Sequence, residues 1–442
     1  MIGGFPPQKS KEEVVFMKKW FIVLVLVASV LFIYGKSLPV VTLFCRAGPE
    51  GAAHRAQVEY WNSHLAQKYG FKVKIIEASR ADYYTYVNNT LLAGGKTPDI
   101  LESYSGFIAL YAKSKIAYDL TDWYMDDKLF PYDRGDWIDI AMKLVTYKGR
   151  IYALPTDTNT YLLFYRKDLI PNPPKTWDEL YEVAKKFTKK YNKNSPTMYG
   201  IAFYGRKSES LPMFWYQIFR SYGGTWWYDK PAFDSEPAMK AINWVVKVIK
   251  EGLVPPDIST YEYMEILGAL QTGQIALAVQ WDAAYPTLRD KKSSPLVWNK
   301  IGVAMVPGVK TPEGIRRAHS AHDQMLVINP RSEHKKEAFI FMAWATASPV
   351  GAKIYAMNGG SPPRKSILSN PEVLEKFPRF KVKLPALNMW GYAEPQLPDY
   401  PEMKDILNTY LAKVWALEMD PEQALKRANQ EIYEFLKSKG YY

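Results

Sequence analysis

Two α/β lobes are the architecture this sequence predicts, and three observations predict it. The chain has 442 residues, more than one ordinary core organises. From Val40 onward short apolar strands alternate with helical patterns, as in right-handed crossovers on a mostly parallel sheet. Around residues 153–187, ALPTDTNTYLLFYRKDLIPNPPKTWDELYEVAKKF, a long extended segment is followed by a freshly capped helix, as expected where a chain passes between two folded bodies.

The first element is an export segment. Residues 18–35 read KKWFIVLVLVASVLFIYG, two lysines and then an uncharged apolar run, the n-region and h-region of a signal. The run is shorter than the roughly 20 apolar residues of a relaxed membrane span. Either it is cleaved between about Gly35 and Pro39, or it stays as an N-terminal membrane anchor. Both place everything after residue 38 outside the cytoplasm, with residues 1–37 as cytoplasmic tail and export signal or anchor. Met17 is a second candidate start, and bulky Phe44 before Cys45 rules out a lipobox.

Next, VVTLFC reads as a buried strand, RAGPEG as a turn, HRAQVEYWNSHLAQKY as a helix and FKVKIIEA as a strand. The pattern continues with a helix in DYYTYVNNTLLAGG, a strand in TPDILES and a helix in GFIALYAKSKIAYDL. In such sheets ligands meet the loops after the strands, here RAGPEG and ESYSG. GRIYALPTD is read as a strand pair leading into TNTYLLFYR, with PTDTNT exposed beside the gap between lobes. The prolines of IPNPPKTW stop the strand and delay the helix, for which Thr176 is the N-cap and Glu179 the partner of a capping box. Further on come a helix ended at Gly273, a strand leaving at Trp281 and Asp282, short strands in KIGVAMVPG and AHDQMLVINP, a helix in EHKKEAFIFMAWATAS, the loop GGSPPRKSI, and a capped final helix in DPEQALKRANQEIYEFLKSK. There are no repeats and no low-complexity tract.

Composition narrows the function. The net charge of +12 is spread along the chain without a basic stripe, zinc-finger spacing or arginine-rich tail, which argues against nucleic acid. Cys45, alone in an apolar run, is read as a small core residue, and no disulfide within the chain is possible. The five histidines have no metal-ligand spacing; His319 and His322 are read as loop-surface residues, and neither a metal nor a cofactor is expected. Aromatic content is high, with 14 Trp and 32 Tyr, and such flat apolar faces suit sugar rings.

Taken in order, VTLFC with its EYW helix, TPDILES, GRIYALP, YRKDLIPNPPKTWDEL, GLVPPDISTY, QTGQIALAVQW, EAFIFMAWATAS and NGGSPPR resemble the extracellular solute-binding proteins of ABC importers, in the maltose- and trehalose-type sugar-binding branch. The resemblance covers nearly everything after residue 38, and YRKDLIPNPPKTWDEL is its most specific part. It implies a periplasmic-binding-protein-like fold with residues 38–155 plus 304–348 in the first lobe and 156–303 plus 349–442 in the second. The ligand is held in the cleft between them, and hinge closure presents it to the membrane permease. A monomer without catalytic residues is implied.

By position the resemblance places ligand contacts at Tyr104, Asn159, Trp281 and Arg364, with Asp157 on the same face as Asn159. From the residues themselves, Trp281 and Asp282 offer a ring face and a carboxylate side by side. Trp226 and Trp227 follow Gly223–Gly224, so that one of the pair can face the cleft and the other the core; Trp390 is a further aromatic candidate, and the glycine- and proline-fixed loop around Arg364 aims its guanidinium inward. Glu50 and Arg46 accompany the first-strand loop. Three functions stay open: capture of an oligosaccharide, capture of an anionic or other solute with Arg46 and Arg364 as anchors, and glycoside hydrolysis by a carboxylate pair such as Asp157 and Asp282.

Overall fold

The computed structural model describes residues 38–79, 83–227 and 229–442; the export segment lies outside the described residues. One path of hydrogen-bonded strands runs through both lobes in the order 72–78, 40–46, 100–104, 319–328, 154–166, 275–281, 199–202. Strands Val40–Arg46, Lys72–Ala78 and Ile100–Tyr104 pair in parallel and form the first half of the sheet. Ile275–Trp281 and Tyr199–Ala202 pair in parallel in the second half. Between the halves lie two long strands, Leu154–Arg166 and His319–Ile328, antiparallel to each other and shared by both lobes. These are the crossing strands.

Each lobe closes its half of the sheet with helices. In the first, Trp61 on helix Pro49–His64 packs edge-on to Phe341 and Trp344 of helix Lys335–Ala347. In the second, helix Ser210–Ser221 buries eleven of its twelve residues, and Phe214 stacks on Phe203 at 4.7 Å. Local signals act as the sequence reading expects at several ends. Gly273 takes φ +69 where the helix before Ile275 stops, and Asp420 accepts from the Gln423 amide at 3.0 Å to start the last helix. Thr176 accepts from the Glu179 amide at 3.2 Å, but the Glu179 carboxylate reaches back to the amide of Lys175, one residue before the cap.

Four expectations change. PTDTNT is not exposed: Thr156 through Thr160 are all buried, because the second crossing strand pairs along them and Asp323 and Ser361 take up their polar groups. The helix from Ile108 ends at Lys113, where Lys115 turns left-handed at φ +54. The boundary at 304 falls too early, since Gly308 exchanges backbone hydrogen bonds with Lys175 and Trp177 and Arg316 donates to the Ser221 carbonyl, all on the second lobe. The boundary at 348 also falls too early: helix Pro349–Met357 packs on Pro49–His64, and Gln57 donates to the Gly351 carbonyl at 2.9 Å.

Candidate functional site

The lobes meet at the crossing strands, and the side chains there separate into an aromatic row and a buried ionic cluster. The row has four rings. Tyr104, at the end of its strand, sits edge-on to His322 at 5.6 Å; His322 is perpendicular to Trp281 at 4.4 Å; Trp281 stacks on Tyr161 at 3.7 Å. It thus runs from the first lobe into the second. Tyr104 and His322 line a small interlobe cavity of about 10 Å³ with Ser105, Leu144 and Glu394.

The polar groups beside this row come from both lobes. The Tyr104 hydroxyl donates to Glu394 at 2.6 Å, and Glu394 pairs with Lys404 at 2.9 Å. Arg46 donates to Glu50 at 3.0 Å and lies over the Tyr84 ring, while the Tyr84 hydroxyl donates to Gln324 at 2.7 Å. Glu209 lies just before helix Ser210–Ser221. Desolvation raises its carboxyl above the ordinary range, and Lys404 and Arg46 draw it partly back. Burial holds the His322 imidazole well below its ordinary value, with Arg46, Lys404 and Lys383 adding to the effect. It is therefore neutral at physiological pH, with one ring nitrogen able to donate and the other able to accept.

The ionic cluster lies behind. Asp282, fully buried, accepts from Lys383 at 2.8 Å, from Arg379 at 3.4 Å and from the Thr160 amide at 3.2 Å. Lys383 also donates to Ser361, and Thr158 to Asp323. Asp157 accepts from Asn159 at 2.7 Å and from the Ser361 amide at 2.8 Å; burial pushes its carboxyl up to about 6, against the pull of Lys383.

Two of the residues expected to act as ligand contacts are held otherwise. Asp282 does not work beside Trp281: successive strand side chains point to opposite faces, so Trp281 faces the aromatic row and Asp282 turns into the cluster. Arg364 points away from the cleft, its guanidinium 4.5 Å over the Trp137 ring, 2.9 Å from Asp136 and donating to the Asp133 carbonyl. Tyr104 and Trp281 are in the aromatic row. Asp157 and Asn159 are buried together at the crossing, and Glu50 is paired with Arg46. Trp226 is half-buried on the wall of a separate groove, and Trp390 is half-buried at the end of helix Phe380–Trp390, lining neither space.

Sequence reasoning missed His322, Gln324, Glu394 and Glu209. His319 and His322 lie on the second crossing strand, not on a surface loop, and His319 is fully buried. Period-two alternation along AHDQ puts His322 and Gln324 on one face and was the available signal. Among the described residues no three His, Cys, Asp or Glu side chains cluster to hold a metal. Cys45 is buried in the first strand, and its thiol is raised by that burial.

A sheet shared by two lobes, with rings and polar groups converging at the crossing, defines a two-lobed solute-binding protein. Residues 52–352 match the family described as bacterial extracellular solute-binding protein, and the chain belongs to that family. The fold is similar to that of maltose-bound MalE3 of T. maritima, with a TM-score of 0.77, 27% identity, and coverage of 90% of this chain and 99% of that one. The mannitol-binding protein of Pseudomonas aeruginosa is 28% identical over 337 residues, 70% of this chain and 75% of its own. A probable amino-acid ABC transporter periplasmic-binding protein of Sinorhizobium fredii is 26% identical over 312 residues, 66% of each chain. The family and fold are those of solute-binding proteins rather than enzymes.

Proposed function

We propose that the chain captures an oligosaccharide, of the maltose or trehalose type, in the interlobe cleft and delivers it to the permease of an ABC importer by hinge closure. The observation that carries this reading is the row of four rings from Tyr104 through neutral His322 and Trp281 to Tyr161, with Glu394 hydrogen-bonded to Tyr104. Sugars present a C–H face that packs on aromatic rings and paired hydroxyls that need both donors and acceptors. The maltose-bound and mannitol-binding relatives support the same class. In this reading the protein is a monomer at the outer face of the cell membrane, held there by its N-terminal apolar run or released from it.

The test is a thermal-shift screen of the full chain against mono-, di- and oligosaccharides, with charged solutes and amino acids as controls. A ligand at 100 times its Kd stabilises the native state by about 2.7 kcal/mol, visible as a raised Tm. The expected result is a shift with an α-linked saccharide, left uncleaved, that Trp281→Ala abolishes. A shift only with an anionic or zwitterionic solute would replace the reading. That second reading is favoured by Arg46 and Lys404 beside the cleft and by the name of the S. fredii relative.

A further inference from the structure

The strands that open the first lobe point one way. Val40–Arg46, Lys72–Ala78 and Ile100–Tyr104 are parallel, so Arg46 and Tyr104 lie toward the cleft and the amino ends gather on the opposite face. His319–Ile328 runs against them and ends on that face, with Ile328 opposite Ile100. Four segments therefore meet there: 65–72, 93–99, 329–336, and 113–118, which the Tyr118 amide ties to the Ile328 carbonyl at 3.0 Å. Their charges are nearly all of one sign. Lys68, Lys72, Lys96, Lys115, Arg331 and Lys336 are exposed. Of the carboxylates in the same segments, Glu333 is ion-paired with Lys96, and Asp99 is buried, accepting from the Thr42 amide at 2.7 Å and from Ser332 at 2.6 Å. Cations that are scattered in the sequence thus become one basic face, because parallel pairing brings their segments to the same end of the sheet.

The chain also enters the lobe on this face. Pro39 accepts from the Lys72 amide at 2.9 Å, and only Lys36, Ser37 and Leu38 separate it from Gly35, where the apolar run ends. Those four residue steps reach about 14 Å when fully extended. Val40 and Tyr69, 44% and 38% exposed, stand among the basic residues, and an exposed tyrosine with an apolar body and a polar tip suits a headgroup layer. Resting on the reading that the apolar run is retained as an anchor, we propose that this basic face is a docking surface for an anionic lipid bilayer. A tether so short brings the face to the headgroups, and its exposed cations then act within the Debye length of about 8 Å. The first lobe stands on the membrane by this face. The cleft, one seven-residue strand away, is carried about 20 Å above the surface, where solute arrives.

The experiment is lysine footprinting of the full chain reconstituted into vesicles, using a membrane-impermeant amine reagent read by mass spectrometry. Vesicles of phosphatidylcholine alone are compared with vesicles about one third phosphatidylglycerol. The variant combines Lys68→Glu, Lys72→Glu and Lys336→Glu, all exposed positions. Expected is about fivefold slower labelling of Lys96 and Lys115 on the anionic vesicles, with Lys250 and Lys292 of the second lobe labelled as before. The protection is lost on neutral vesicles, in the variant, and in about 1 M salt, where the screening length falls to about 3 Å. Equal protection on both kinds of vesicle, protection that survives in the variant, or none on either would overturn the docking face; flotation of the chain with the vesicles would show the anchor still standing. If the chain floats with neither vesicle, the anchor and the docking face fall together.

Discussion

Lys383 is the residue whose removal tests the buried ionic cluster most directly. It has no solvent exposure, lies 2.8 Å from Asp282, and is the cation that opposes the desolvation of Asp157. Lys383→Met keeps the length of the side chain and deletes its charge. Asp282 is then left with Arg379 at 3.4 Å as its remaining ion-pair partner, and Asp157 loses the cation that most opposes its desolvation. Breaking a buried pair on one side costs about 3–5 kcal/mol, because the carboxylate stays desolvated without compensation. Urea unfolding followed by tryptophan fluorescence reads this as a lower midpoint at unchanged slope. Adding Asp282→Asn to Lys383→Met removes the stranded charge and recovers part of the loss. A cost below about 1 kcal/mol, the level of a solvated surface pair, would refute the reasoning, as would a double variant no more stable than the single.

Three further outcomes follow from the same structure. Tyr104→Phe deletes the hydroxyl that donates to Glu394 across the lobes, a bond to a charged group worth about 1.5–3 kcal/mol; stopped-flow release of ligand should be about tenfold faster or more, with the fold unchanged by circular dichroism. For Asp157, the folded carboxyl near 6 lies above its ordinary 3.8, so the folded state binds the proton more tightly. Its contribution to stability is present below about pH 4 and lost as pH rises through 6, and Asp157→Asn should flatten the stability profile across that window in urea titrations. Thr176→Ala removes the N-cap of helix Trp177–Lys186 and should cost about 1 kcal/mol in the same assay, with Thr176→Ser restoring it.

The fold was legible where local chemistry decides. Thr176, Asp420 and Gly273 set helix ends within a few residues of themselves, and the apolar runs at Val40, Ile100 and Ile275 became strands in both halves of the sheet. The site was legible only in part, and the failures share a cause. Tyr104, named from the resemblance, and Trp281, named from a strand exit, both end strands and both lie in the aromatic row. Arg364 could not be placed, since the carbonyl it binds at Asp133 is 231 positions away, and Asp282 and Lys383 are 101 positions apart. Glu394 reaches Tyr104 over 290 positions. Charges that pair across such distances look, in a linear reading, like charges free to bind a ligand. PTDTNT misled for the related reason that polar side chains suggest a wet surface, whereas here they satisfy one another inside the crossing.

The shared sheet has a consequence for how the halves live and die. Leu154–Arg166 and His319–Ile328 are hydrogen-bonded to each other as well as to strands in each lobe. If one half melts, the other is left with raw, unpaired strand edge, so neither half has a comfortable life alone. Heating should therefore give one calorimetric transition for the whole molecule. Amides at the crossing should be among the last to exchange with solvent, and a solute gripped between the lobes should protect residues far from its own contacts.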